Sequence, residues 1–244
     1  MPIPTTEERL PEGEAHVEGL DGSGSDMGRI VSMSDAVFAF SMTFLVITLV
    51  LPQVAATGKY PNLIAYLSGE WSTFVAYLIS FFVITSWWAV HRRMFSPIVR
   101  YDPLLVRLNN MFLLIIAITP FLVGILYDYG PGPEIGRGSP STELAVALFA
   151  AVQVVGGLLM LAIWRHSTER HQLVEERLPH VWIRRTELMM VYNVAVFAIS
   201  LPIAFISPFV AMLSWIVMAI GMSHVQRKRR SNLRRTAPPV SASK

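Results

Sequence analysis

Six stretches of the chain are almost uninterrupted in apolar residues: approximately 33–52, 72–90, 108–127, 144–164, 188–205 and 207–223. Each is close to the roughly 20 residues that a helix rising about 1.5 Å per residue needs to cross about 30 Å of hydrocarbon. The last two nearly merge, but Pro202, Ser207 and Pro208 interrupt them, since proline removes a helical donor and clashes with the preceding turn. Arg184 and Arg185 precede this pair and Arg227 to Arg230 follow it. Both outer ends therefore belong on one side, and the pair predicts a hairpin of two spans.

Charge placement sets the orientation. Of the 20 Lys and Arg residues, 18 fall at the amino end, in the Arg92–Arg107 and Arg165–Arg185 loops, or in the carboxyl tail, leaving Lys59 and Arg137 on the opposite side. The pattern predicts an all-α integral membrane protein with six transmembrane helices, both termini inside. Composition agrees: 53% of the 244 residues are hydrophobic and mean hydropathy is +0.48, outside the range of ordinary soluble domains. The absence of cysteine excludes disulfides and thiolate chemistry.

Three regions follow: an acidic, disordered cytoplasmic tail at 1–28, a transmembrane domain at 29–224, and a basic, disordered cytoplasmic tail at 225–244. The first tail has neither a basic leader nor an apolar run, so no cleavable signal peptide is expected. The basic tail, with Arg227 to Arg230, Arg234 and Arg235, suits anionic lipid headgroups. It carries no aromatic residue for base stacking, so nucleic acid is not an expected partner. The 165–187 connector mixes charge with Leu173, Val174, Leu178, Val181 and Trp182, and reads as partly interfacial.

The first span has its own pattern. Phe40, Phe44, Ile47 and Leu51 recur at helical spacing, with Thr43 beside them. One bulky stripe on a polar-anchored helix suits a pore lining with a hydrophobic gate. At about 100° per residue Asp35 lies about 140° from Phe40, off that stripe. Arg29 and Asp35 are six apart and do not form an (i, i+4) pair. Ser34 and Asp35 are therefore expected to tie the first helix to Trp88, His91, Asn109 and Asn110; ion binding by Asp35 is the other reading. Thr43 either lends oxygen ligands to a cation or bonds its own helix.

Elsewhere, Gly156 and Gly157 are expected at close helix contacts, and Gln153 and Asn193 in interhelical hydrogen bonds. Trp71, Trp87, Trp164, Trp182 and Tyr127 suit interfacial belts. There is no Walker loop, GxGxxG, HExxH or zinc-type histidine spacing. No enzyme activity, cofactor or bound metal is expected. No TVGYG-like loop is present either, so selectivity of that carbonyl type is excluded.

Arg29-x-x-x-Met33-Ser34-Asp35-Ala-Val-Phe-Ala resembles the RxxxFSD signature of the transmembrane protein 175 family of potassium channels. Trp88-x-x-His91-Arg92-x-x-Phe95, Tyr101-Asp102, Leu108-Asn109 and Ile116-Ala117-x-x-Pro120-Phe121 are similar to the helix 2 to helix 3 region of its prokaryotic members. The resemblance covers about residues 29–125. It implies a homotetramer whose first helices line a pore permeable to potassium, with constriction positions at Phe40, Phe44 and Ile47 and the helix 1 threonine at Thr43. It further implies that Arg29, Ser34 and Asp35 serve a structural hydrogen-bond network. Met33 stands where the signature has phenylalanine, and Phe40 and Phe44 stand where aliphatic residues are usual, which makes for a tight, dewetted plug. The expected location is the plasma (cell inner) membrane. The alternative function is a secondary, proton-coupled cation transporter using Asp35.

Overall fold

The computed structural model describes residues 24–48, 62–69, 71–130, 139–169 and 173–216. They form helices α1 (Gly24–Thr48), α2 (Leu63–Gly69), α3 (Trp71–Phe95), α4 (Pro103–Tyr129), α5 (Pro140–Thr168) and α6 (His180–Ala204). A seventh, α7, is described over 208–216. Five of them, α1 and α3 to α6, are long and apolar enough to cross a membrane. The protein is therefore an all-α membrane protein, and α7 turns back where the final span was expected. Residues 217–223 of that span, and the carboxyl tail, lie outside the described residues, as does the amino tail up to residue 23.

The helices outrun the apolar windows that announced them. Helix α1 starts at Gly24 instead of 33, and α6 at His180 instead of 188. Hydropathy marks where hydrocarbon begins, whereas capping groups mark where helical pairing begins. Asp102 caps α4, its Oδ1 accepting from the Leu105 N–H at 2.8 Å, with Pro103 in the first turn. Ser139 caps α5 the same way through the Thr142 N–H at 3.2 Å, followed by Pro140. Inside α4, Pro120 cannot donate to the Ile116 carbonyl, and the Thr119 hydroxyl donates to Ile115 instead, at 2.7 Å. The α6–α7 break falls where the prolines put it. The chain turns at 205–207, and the Trp215 indole of α7 returns to donate to Ser200 Oγ on α6 at 3.0 Å.

Successive long helices run antiparallel. Asp35 near the start of α1 meets Trp88 near the end of α3, and His91 meets Asn109 near the start of α4. Asp102 ahead of α4 meets His166 near the end of α5, whose Trp164 donates to the Ile183 carbonyl of α6. One end of the bundle thus gathers every arginine among the described residues. The charge pattern and the folded chain agree that these arginines share one end.

The core differs from the expected aromatic belts. Trp87 and Trp164 are buried, because each indole N–H has an internal acceptor: Gln153 Oε1 at 2.8 Å and the Ile183 carbonyl at 3.2 Å. Satisfying that donor removes the reason for an indole to stay at the interface. Gln153 also donates to Thr119 Oγ1 at 3.4 Å. Gly156 and Gly157 sit at close crossings: a β-carbon on Gly157 would lie 2.5 Å from Val194 and 3.1 Å from Trp87. Asn193, expected in an interhelical bond, is buried with neither amide atom partnered.

The 165–187 connector is likewise more built than expected. The Val99 N–H donates to the Leu173 carbonyl at 2.9 Å and the Glu175 N–H to Pro97 at 3.0 Å, forming an antiparallel bridge between Ile98 and Val174. Pairing the backbone lets Leu173 and Val174 enter the core instead of the interface. Helix α2 was not foreseen within the first loop; Asn62 caps it through the Ala65 N–H at 2.9 Å.

Candidate functional site

Helix α1 has two faces of different chemistry. Met27, Ser34, Phe38, Ser41 and Leu45 recur at three- and four-residue spacing and are buried against the bundle. The opposite face is uncovered: Phe40 is 65% exposed, Phe44 40% and Ile47 64%. Only 22% of the α1 span is buried inside the chain, against 50%, 44% and 50% for α3, α4 and α5. The least covered apolar helix is therefore the one carrying the bulky stripe. Leu51, the remaining stripe position, lies outside the described residues.

The buried face is held by a chain of hydrogen bonds at the arginine-rich end. His91, fully buried on α3, meets Asn109 Oδ1 at 3.0 Å; an amide oxygen only accepts, so Nε2 carries the proton. The Asn109 amide donates to Ser34 Oγ at 3.0 Å, and Ser34 donates to the Ile30 carbonyl at 2.9 Å. Every link is used once in one direction, so Asn109 fixes the spacing of α1, α3 and α4 together. Beside it the Trp88 indole donates to Asp35 Oδ1 at 2.9 Å. Rings close the gap between helices: Phe38 packs edge-on to His91 at 5.4 Å, and His91 stacks on Phe95 at 4.2 Å.

The structure thus brings together Ser34, Asp35, Trp88, His91 and Asn109. It leaves two expected members outside. Arg29 is 86% exposed and pairs with Asp26 at 3.8 Å, one turn earlier on its own helix. Its position, eleven residues before Phe40, puts it within about 20° of the uncovered stripe and away from Ser34. Asn110 is exposed, turned by one residue, about 100°, from Asn109.

On the uncovered face Phe40 and Phe44 stack on each other, with ring centroids 5.5 Å apart and planes 23° apart. Thr43 is exposed, and its hydroxyl lies 3.1 Å from the Ala39 carbonyl and 2.9 Å from that of Phe40. Its proton is committed to the helix backbone while oxygen lone pairs remain outward. Among the described residues no group of three His, Asp or Glu side chains is placed to hold a metal ion.

A second polar cluster escaped sequence reasoning. His166 Nε2 lies 2.7 Å from Asp102 Oδ2, while the other carboxylate oxygen caps α4. Partial burial raises the Asp102 pKa, but the Leu105 N–H and the His166 ring more than offset it and hold the carboxyl below its usual range. The Asp-Pro pair at 102–103 announced the cap; nothing local announced a histidine 64 residues on. Arg165 pairs with Glu187 at 2.8 Å nearby, and Arg93 lies 5.0 Å over the Trp182 ring.

The sequence pattern of the endosomal/lysosomal potassium channel TMEM175 family matches residues 29–120. That stretch contains α1 from Arg29 onward, the network and the first two-thirds of α4. Over that stretch the chain is similar to this family. A potassium channel of Streptomyces collinus is 28% identical over 75% of this chain and 84% of its own length. A potassium channel of Chamaesiphon minutus is 25% identical over 80% of this chain and 93% of its own. The fold matches the crystal structure of a Chamaesiphon minutus homologue of the lysosomal potassium-selective channel TMEM175. That match has a TM-score of 0.66 and 25% identity, over 82% of this chain and 97% of the other. Against that family's pattern the departures noted above are concrete: Met33 is exposed on α1, and the uncovered stripe carries two phenylalanines.

Proposed function

We propose that four copies of this chain assemble around their α1 helices into a potassium-permeable channel of the plasma (cell inner) membrane. The observation that carries this reading is the uncovered Phe40–Phe44–Ile47 stripe on α1. A bulky apolar face on the least covered span needs either lipid or copies of itself, and the relatives named above are potassium channels. Four such stripes facing one axis make a constriction that gates by dewetting. The anchored face, through Ser34, Asp35, Trp88, His91 and Asn109, then sets how far each α1 stands from the axis.

Thr43 offers the permeating ion oxygen lone pairs next to that constriction. Potassium is cargo in this reading; no cofactor or catalytic step is involved. A proton-coupled transporter using Asp35 is the weaker reading. Its carboxylate is engaged by the Trp88 indole and sits off the stripe.

The test is potassium flux into liposomes containing the purified protein, with sodium and an impermeant cation as controls. Passive potassium flux that exceeds sodium flux supports the channel. Flux that appears only against an opposing proton gradient supports the transporter and overturns the channel.

A further inference from the structure

The uncovered face of α1 is chemically narrow. Phe40 and Phe44 present a stacked pair of rings, 5.5 Å apart, that stays exposed among the described residues. Ala36 and Ala39, on the side of that pair nearer the arginine-rich end, are small and exposed. Thr43 spends its proton on the backbone at 2.9 Å. At that end of the same face, Arg29 and Asp26 lie 3.8 Å apart and offset each other's charge. Around the rings the face thus combines π surface, small neighbouring side chains and little polar ligation.

That combination favours one class of cation. A small, strongly hydrated ion needs oxygen ligands to replace its water, and two rings do not supply them. A quaternary ammonium ion has no N–H to satisfy, holds its water loosely, and is attracted to the negative faces of aromatic rings. Four subunits would surround it with eight rings where aliphatic side chains would offer apolar contact alone.

Resting on the tetrameric pore proposed above, we propose that the Phe40 and Phe44 rings form a binding site for quaternary ammonium ions, which block potassium passage there. A bound ion sits among the rings and closes the path by occupancy. The site follows from the two phenylalanines, so it is a property of this chain's own stripe.

The experiment measures tetraethylammonium and tetrapropylammonium in two ways on full-length protein. One is block of potassium flux in liposomes; the other is equilibrium binding of radiolabelled ion to purified protein. The variants are Phe40→Leu, Phe44→Leu and Phe40→Tyr. Wild type and Phe40→Tyr are expected to bind both ions, and block is expected wherever flux is present. Each leucine variant is expected to weaken binding by about tenfold, the scale of a desolvated cation–π contact. Potassium flux with unaltered binding or block in the leucine variants overturns the site and leaves the channel standing. Absence of binding to wild-type protein also overturns it. Absence of potassium flux in wild type and all variants overturns the channel, and the site with it.

Discussion

The two faces of α1 are built on opposite principles, although they share one helix of 25 residues. The buried face spends polar side chains: Ser34 is enclosed, and its partner Asn109 and the His91 beyond it are nearly or fully enclosed too. Each costs free energy to bury and repays it only when every link is made. The uncovered face spends large apolar side chains and leaves them uncovered within one chain. A helix anchored by directional bonds on one side and smooth on the other has a fixed rotation. In the proposed tetramer fixed rotation is what the pore lining requires, because turning α1 by one residue would replace Phe40 with Ala39 or Ser41 at the axis.

Mutations should therefore separate the faces sharply. Phe38→Ala, on the buried face between His91 and Phe112, is expected to destabilise by about 3–5 kcal/mol. Phe40→Ala, two residues on, is expected to cost under about 1 kcal/mol, as at other exposed positions whose packing is confined to their own helix. Thermal unfolding of the purified protein measures both, and equal losses would erase the distinction. Asn109→Leu is expected to cost about 2–3 kcal/mol, since the Ser34 hydroxyl loses its donor and the His91 N–H its acceptor.

Asp102→Ala removes the α4 cap at some distance from α1 and is expected to cost about 1 kcal/mol. The Asp102 carboxyl is held below its usual range when folded. Its contribution is therefore present above the unfolded aspartate pKa and is lost as pH falls through the lower folded value. Wild type should lose stability in that acid range, and Asp102→Asn should flatten that part of the profile. On the open face the expected stability change is smallest and the functional change largest. Phe40→Ser should raise resting potassium flux in liposomes. Thr43→Ala should lower the potassium-to-sodium permeability ratio with unfolding unaltered; an unaltered ratio removes Thr43 from selectivity.

Much of this division can be read in the chain itself, because helical spacing separates Phe40 and Ile47 from Ser34 without reference to other helices. The network partners were also visible, since Trp88, His91 and Asn109 all flank the same charged boundary. Asn110 is expected with them for that reason, and Arg29 from the family resemblance, yet neither proximity along the boundary nor a shared signature sets rotation about a helix axis. The burial of Trp87 and Trp164 was hidden, because an indole's place depends on whether Gln153 or the Ile183 carbonyl happens to reach it. The Asp102–His166 pair and the Ile98–Val174 bridge were hidden for the same reason: both join segments far apart in sequence. Periodicity reports what one helix does alone, and long-range polar pairing lies beyond it.

The central claim is that the uncovered face of α1 lines the conduction path. The chain has no cysteine, so introduced thiols can be labelled without background. Single variants Ala36→Cys, Phe40→Cys and Ile47→Cys on one face, and Ser41→Cys and Leu45→Cys on the other, can be treated with a charged, water-soluble thiol reagent in potassium-loaded liposomes. The account predicts that labelling of the first three suppresses potassium flux while the last two stay unlabelled and conduct. Flux that survives labelling at Ala36, Phe40 and Ile47, or labelling confined to Ser41 and Leu45, would contradict it.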